Sequence, residues 1–67
     1  MKTQATINGM TITAKEWKKN GQHRIYFNEQ RRNGAQACWD VNAEQWVKVK
    51  GEFGGRQKDW IVTEWGL

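Results

Sequence analysis

Lys15, Trp17, Lys19, Arg24 and Tyr26 are the residues of this 67-residue chain whose types and spacing could act together. Lys15, Trp17 and Lys19 alternate along one segment, Arg24 and Tyr26 along the next, and Asn20-Gly21 lies between them. Asn-Gly suits the type I′ hairpin turn, where both central residues need φ > 0. A two-residue turn there sets Lys19 against Gln22, Lys18 against His23, Trp17 against Arg24, Glu16 against Ile25, Lys15 against Tyr26 and Ala14 against Phe27. Side chains alternate along a strand, so the two rings and three cations share one face. Interleaved cations and rings suit single-stranded nucleic acid: rings stack bases at about 1–3 kcal/mol each, and Lys and Arg neutralise phosphates. Two structural alternatives compete. Trp17–Arg24 and Lys15–Tyr26 also read as cross-strand cation–π pairs that stabilise a hairpin by roughly 0.5–1 kcal/mol, and closure of the sheet would bury Trp17.

Arg31-Arg32, in the next connection, is the other candidate for phosphate or carboxylate contacts, since guanidinium forks match both anions. Nothing comparable supports catalysis. His23 has no partnered Asp or Ser within sequence reach, the carboxylates are scattered, and Cys38 reads as a packing residue. One His and one Cys supply too few ligands for a zinc site, so no metal or cofactor is expected. The loop 51–55 is rich in glycine but lacks the Lys-Ser/Thr ending of a phosphate-binding loop. The expectation is therefore a binding protein, not an enzyme.

Charge points to an anionic partner. The chain has 11 Lys and Arg against 7 Asp and Glu, a net charge of +4, and the whole excess lies in the N-terminal half. Residues 1–34 carry seven cations and two carboxylates, net +5; residues 35–67 carry four and five, net −1. Such a balance favours polyanions or acidic protein surfaces. The lone thiol and the absence of an apolar leader point to the cytoplasm.

The elements that must position these residues are strands. Asn-Gly recurs at 8–9, 20–21 and 33–34 between segments rich in Thr, Ile, Val and aromatics. We read strands near 2–7, 10–19, 22–28, 35–41, 46–50 and 60–65, with a short helix at 42–46 or 57–65 as the alternative and a mobile loop at 51–59. The turn at Asn8-Gly9 pairs Ile7 with Met10, Ala5 with Ile12 and Thr3 with Ala14. One face then collects Ala5, Ile7, Met10, Ile12, Ala14, Ile25 and Phe27, with Glu16 the discordant member. For the third hairpin, a three-residue Arg32-Asn33-Gly34 loop with glycine in the left-handed region sets Phe27 against Trp39 and Ile25 against Val41. Val47 and Val49 are expected in the core, with Trp60 and Val62 or Ile61 and Trp65 from the last segment. The fold class expected is all-β, one domain over 1–67. It is an antiparallel meander of five to six short strands rolled into a small, partly open barrel of SH3-like or OB-like size.

Residues 47–54 are similar in part to the Lys-Gly-Phe-Gly-Phe run of cold-shock sequences, but Glu52 interrupts the run and the second aromatic is missing. No family is assigned on that basis. In size and composition the chain looks like the short reading frames of phages, plasmids and integron cassettes. The leading expectation is binding of single-stranded DNA or RNA through Lys15, Trp17, Lys19, Arg24, Tyr26, Arg31 and Arg32. The alternative is a mobile-element type of protein-interaction module or inhibitor, docking the same face on an acidic host protein. A third reading is a homo-oligomer with no separate ligand, because a small core without disulfide or metal favours a partner copy and open sheet edges offer it a place.

Overall fold

The structure, a computed structural model, describes residues 1–31 and 33–67. Five antiparallel strands form one sheet in chain order: β1 (Gln4–Ile7), β2 (Met10–Lys19), β3 (Gln22–Glu29), β4 (Gln36–Asp40) and β5 (Gln45–Val47). The helix α1 (Gly55–Trp65) follows. The molecule is mostly β, and the sheet is not closed.

Both tight turns behave as Asn-Gly chemistry requires: Asn8 and Asn20 have φ of 47° and 51°, and Gly9 and Gly21 have φ of 81° and 80°. The first two hairpins keep the expected register throughout, from Ala5 opposite Ile12 to Trp17 opposite Arg24 and Lys15 opposite Tyr26.

The third hairpin slips by two residues from expectation. Phe27 lies opposite Ala37, Ile25 opposite Trp39 and Tyr26 opposite Cys38. Glu29 N–H donates to the Ala35 carbonyl at 2.9 Å, so the connection spans 30–34 rather than three residues. Among the described residues of that connection, Asn33 (φ 62°) is left-handed and Gly34 is not. Packing explains the slip. Phe27 is flanked across the sheet by Ala14 and Ala37, and that space admits the edges of Trp46 and Trp65, with ring centroids 5.9 and 5.0 Å from Phe27. A Trp39 directly opposite Phe27 would fill it. Because the slip is even, Trp39 keeps its face and packs edge-on to Trp46 at 5.0 Å.

The residues of 60–65 belong to a helix, not a sixth strand. Gly54 precedes it in extended conformation, and its N–H donates to the Gln57 Oε1 at 3.0 Å. Gly66, at φ 67°, ends it in the left-handed region, and the N–H of Leu67 returns to the Val62 carbonyl at 3.0 Å. Ile61 is fully buried, with Trp60 and Trp65 packed against the same core as Ile7, Met10, Ile12, Ala14, Ile25 and Phe27. The Trp65 indole N–H donates to the Lys2 carbonyl at 2.8 Å, and Lys2 pairs with Glu64 at 2.7 Å. The helix thus covers one face of the sheet.

Two further expectations change. The segment at 51–59 is not a free loop: its second half is helical, and Phe53 is 2% exposed. The Gln36 N–H donates to Gly51 and the Phe53 N–H to Gln36, each at 3.0 Å, which fastens the connection beside β4. In β5 the core position belongs to Trp46. Val47 stands opposite Cys38 on the other face, and neither Val47 nor Val49 packs in the core.

Candidate binding face on the uncovered side of the sheet

The helix lies on the Phe27 side, so the opposite side of the sheet has no covering layer. Strand pairing arranges that side in rows. One runs Lys15, Tyr26, Cys38, Val47; the next runs Trp17, Arg24, Asp40, Gln45. Thr13, Asn28 and Gln36 flank the first row, and Lys19 with Gln22 extend the second. Lys15, Trp17, Lys19, Arg24 and Tyr26 are therefore brought together on one surface, as their alternation requires.

Their environments differ. Lys15 and Lys19 are exposed, and among the described residues neither forms an ion pair. Trp17 is the one exposed indole, at 37%; Trp39, Trp46, Trp60 and Trp65 all pack against the core. Tyr26 and Arg24 are half-buried, side by side on β3. The Tyr26 phenol, more than any other neighbour, holds the Arg24 guanidinium above its ordinary pKa, against an opposing desolvation. Arg24 Nε is buried without a hydrogen-bond partner. Among the described residues the two rows carry one carboxylate, that of Asp40. Its Oδ1 accepts the Ala43 N–H at 3.0 Å, so it serves the β4–β5 turn. The centre of the face is apolar, with Cys38 at 1% exposure between Tyr26 and Val47.

Cation–π geometry does not link the expected pairs. Among the described residues, the cation that approaches a ring is Lys58, 6.0 Å from Trp46, on the helix side. Lys58 also pairs with Glu52 at 3.3 Å.

Arg31 is apart from the face. Its Nε and Nη2 both bind the Glu29 carboxylate, the latter at 3.0 Å, and this pair raises the guanidinium pKa. Arg32 lies outside the described residues. On the helix side of the β2–β3 arm, Glu16 meets His23 Nε2 at 2.5 Å and Lys18 at 3.8 Å, which accommodates the carboxylate that the pattern placed opposite Ile25. The arm is steadied from the β4–β5 turn: the Asn42 side-chain amide donates to the Gly21 carbonyl at 2.9 Å, and the Val41 N–H to that of His23 at 2.9 Å.

Sequence reasoning missed Val47 and Gln45 as members of the face. The only available signal was the parity of β5, which depends on the length of the turn before it. Among the described residues no group of three or more His, Cys, Asp or Glu side chains could hold a metal ion. Nor, among the described residues, is any helix long and apolar enough to cross a membrane. Compared with protein-family models, with curated proteins and with solved structures, the chain finds no match in any of the three.

Proposed function

We propose that this chain is a small basic binding module, without catalytic activity of its own, that holds single-stranded DNA or RNA on the uncovered sheet face. The observation that carries the reading is one surface with exposed Lys15, Lys19 and Trp17 beside Arg24 and Tyr26, where the Asp40 carboxylate is occupied by a turn. The two lysines and Arg24 would neutralise phosphates; Trp17 and Tyr26, on neighbouring rows of the face, would stack one or two bases. With a single exposed indole, affinity would rest more on charge than on stacking, and sequence preference would be slight.

The test is a salt titration of binding to a fluorescent single-stranded oligonucleotide, for the parent and for Trp17→Ala/Arg24→Ala. Each neutralised phosphate of a single strand contributes about −0.7 to the slope of log K against log salt, so two or three contacts predict a slope of about −1.4 to −2.1. The double variant should bind more weakly, with a shallower slope. Absence of binding at low salt refutes the proposal.

One observation favours the second reading, an acidic protein surface. Four of the five tryptophans pack against the core, which leaves a single indole ringed by cations. That is the make-up of an interface anchor more than of an extended stacking platform. A host protein bound by a mobile-element type of inhibitor would be such a partner.

A further inference from the structure

We infer that the Arg24 side chain lies closed over Cys38 and is the part of this face that opens when a phosphate binds, uncovering the thiol. The inference rests on the reading above, in which Arg24 is a phosphate contact. Two observations need a common cause. Cys38 is 1% exposed although it stands on the side of the sheet that has no covering layer. Arg24 Nε, on the neighbouring strand, is buried without a hydrogen-bond partner.

Strand register limits which side chain can be the cover. Cys38 lies between Tyr26 and Val47 across the strands, and between Gln36 and Asp40 along its own. Tyr26 and Val47 wall the thiol in from two sides. Gln36 is exposed, and the Asp40 carboxylate is turned to the Ala43 N–H. Lys15 is exposed and a strand further away. Arg24, opposite Asp40, is diagonal to Cys38. Diagonal neighbours stand about 7–8 Å apart, within reach of a long side chain. The guanidinium is held above its ordinary pKa first by the Tyr26 phenol and further by the Cys38 thiol, against desolvation, so its charge lies near both groups. An arginine stem laid down in this way buries Nε and covers the sulfur at once.

The closed position leaves Arg24 unsatisfied. Among the described residues it forms no ion pair, and Asp40, the carboxylate opposite it, is committed to a turn. A buried donor without a partner is unfavourable. A phosphate offers two acceptor oxygens to Nε and one Nη together, but Nε meets them only when the stem lifts off the sheet. Phosphate therefore favours the open position over the closed one, and such a difference in affinity is what shifts a conformational equilibrium. Exposure of Cys38 reports the shift.

Alkylation by iodoacetamide, in which the thiolate displaces iodide from carbon, reads that exposure. Inorganic phosphate should accelerate it relative to chloride at matched ionic strength. The sign discriminates, because a ligand that only stabilises the folded state slows a thiol reached by global unfolding. A minor open state is populated at about 0.1–10%, so saturating phosphate, or Arg24→Ala without phosphate, should raise the rate at least about tenfold. The rate in Arg24→Ala should stay level across low urea concentrations, since a rate that climbs with urea marks unfolding instead of an uncovered face. The Arg24 Nε–H resonance of the parent needs no variant: it should exchange slowly with water, and phosphate should shift it as the hydrogen bond forms. A rate unchanged or lowered by phosphate, an Arg24→Ala rate equal to the parent's, or one that climbs with urea overturns the inference. Oligonucleotide binding with no effect of phosphate on Cys38 would remove the moving arginine alone. Acceleration by phosphate without oligonucleotide binding would remove the single-strand reading and keep the moving arginine.

Discussion

Replacing Ile61 by alanine should come close to unfolding this protein, while replacing Thr63 should not weaken it. Ile61 is 0% exposed at the centre of the helix–sheet seam. The substitution removes three buried carbons, which at about 0.8 kcal/mol each amounts to roughly 2.4 kcal/mol. The cavity left behind brings the expected loss to about 3–5 kcal/mol, because Phe27, Ile12 and the surrounding rings cannot fully close over it. A 67-residue domain at about 0.05–0.15 kcal/mol per residue has only about 3–10 kcal/mol in total. Thr63, two positions on, is exposed, and its hydroxyl donates to the Asp59 carbonyl one turn back at 3.2 Å. Such back-bonding slightly strains a helix, and alanine has the higher helix propensity, so Thr63→Ala should be neutral or stabilising by up to about 0.5 kcal/mol. Urea unfolding followed by tryptophan fluorescence measures both, since Trp46, Trp60 and Trp65 all pack at the seam. In a strand the ranking would differ, because threonine favours strands and alanine does not. A loss below about 1 kcal/mol for Ile61→Ala, or a larger loss for Thr63→Ala than for Ile61→Ala, would refute the helix packing described here.

Gly34→Ala should destabilise by about 1–3 kcal/mol, because the added Cβ would lie 2.4 Å from the Glu29 carbonyl oxygen and 2.8 Å from that of Arg31. Gly55→Ala, where a Cβ meets nothing within 4 Å, is the control, and equal midpoints in thermal melts would count against the tight turn. The Glu16 carboxyl is held below its ordinary value of 4.5, first by its hydrogen bond to His23 and further by Lys18, against desolvation. Its folded pKa being depressed, its stabilising contribution is complete above 4.5 and is lost as pH falls through the lower folded value. The melting-temperature difference between the parent and Glu16→Gln should therefore shrink as the solution is acidified below 4.5, and profiles that stay parallel would contradict the pairing.

Much of this molecule could be read from the chain because the information was local. Two Asn-Gly turns, each two residues long, specify the register of β1, β2 and β3, and alternation then sorts Ile12, Ala14, Ile25 and Phe27 to one face and Lys15, Trp17, Arg24 and Tyr26 to the other. The shared face of Lys15, Trp17, Lys19, Arg24 and Tyr26 was legible for that reason alone. Where alternation could not discriminate, the reading slipped. A shift of two residues leaves every side chain on its face, so only the room needed around Phe27 by Trp46 and Trp65 decides that Ala37, not Trp39, lies opposite it.

The last segment shows the limit most clearly. Trp60, Ile61, Val62 and Thr63 favour a strand locally, and the helix has no acid in its first turn and no base in its last. A helix of 11 residues is marginal by itself. It forms because the sheet has an apolar face to cover, and a helix brings Trp60, Ile61 and Trp65 onto that face together while Gly54 and Gly66 cap its ends. By itself, then, the sequence determined the hairpins, the sidedness of the first three strands and the basic surface, since each depends on neighbours a few residues away. Only the tertiary structure decided the β3–β4 register, the helix and the core place of Trp46, since each depends on volumes and contacts between residues distant along the chain.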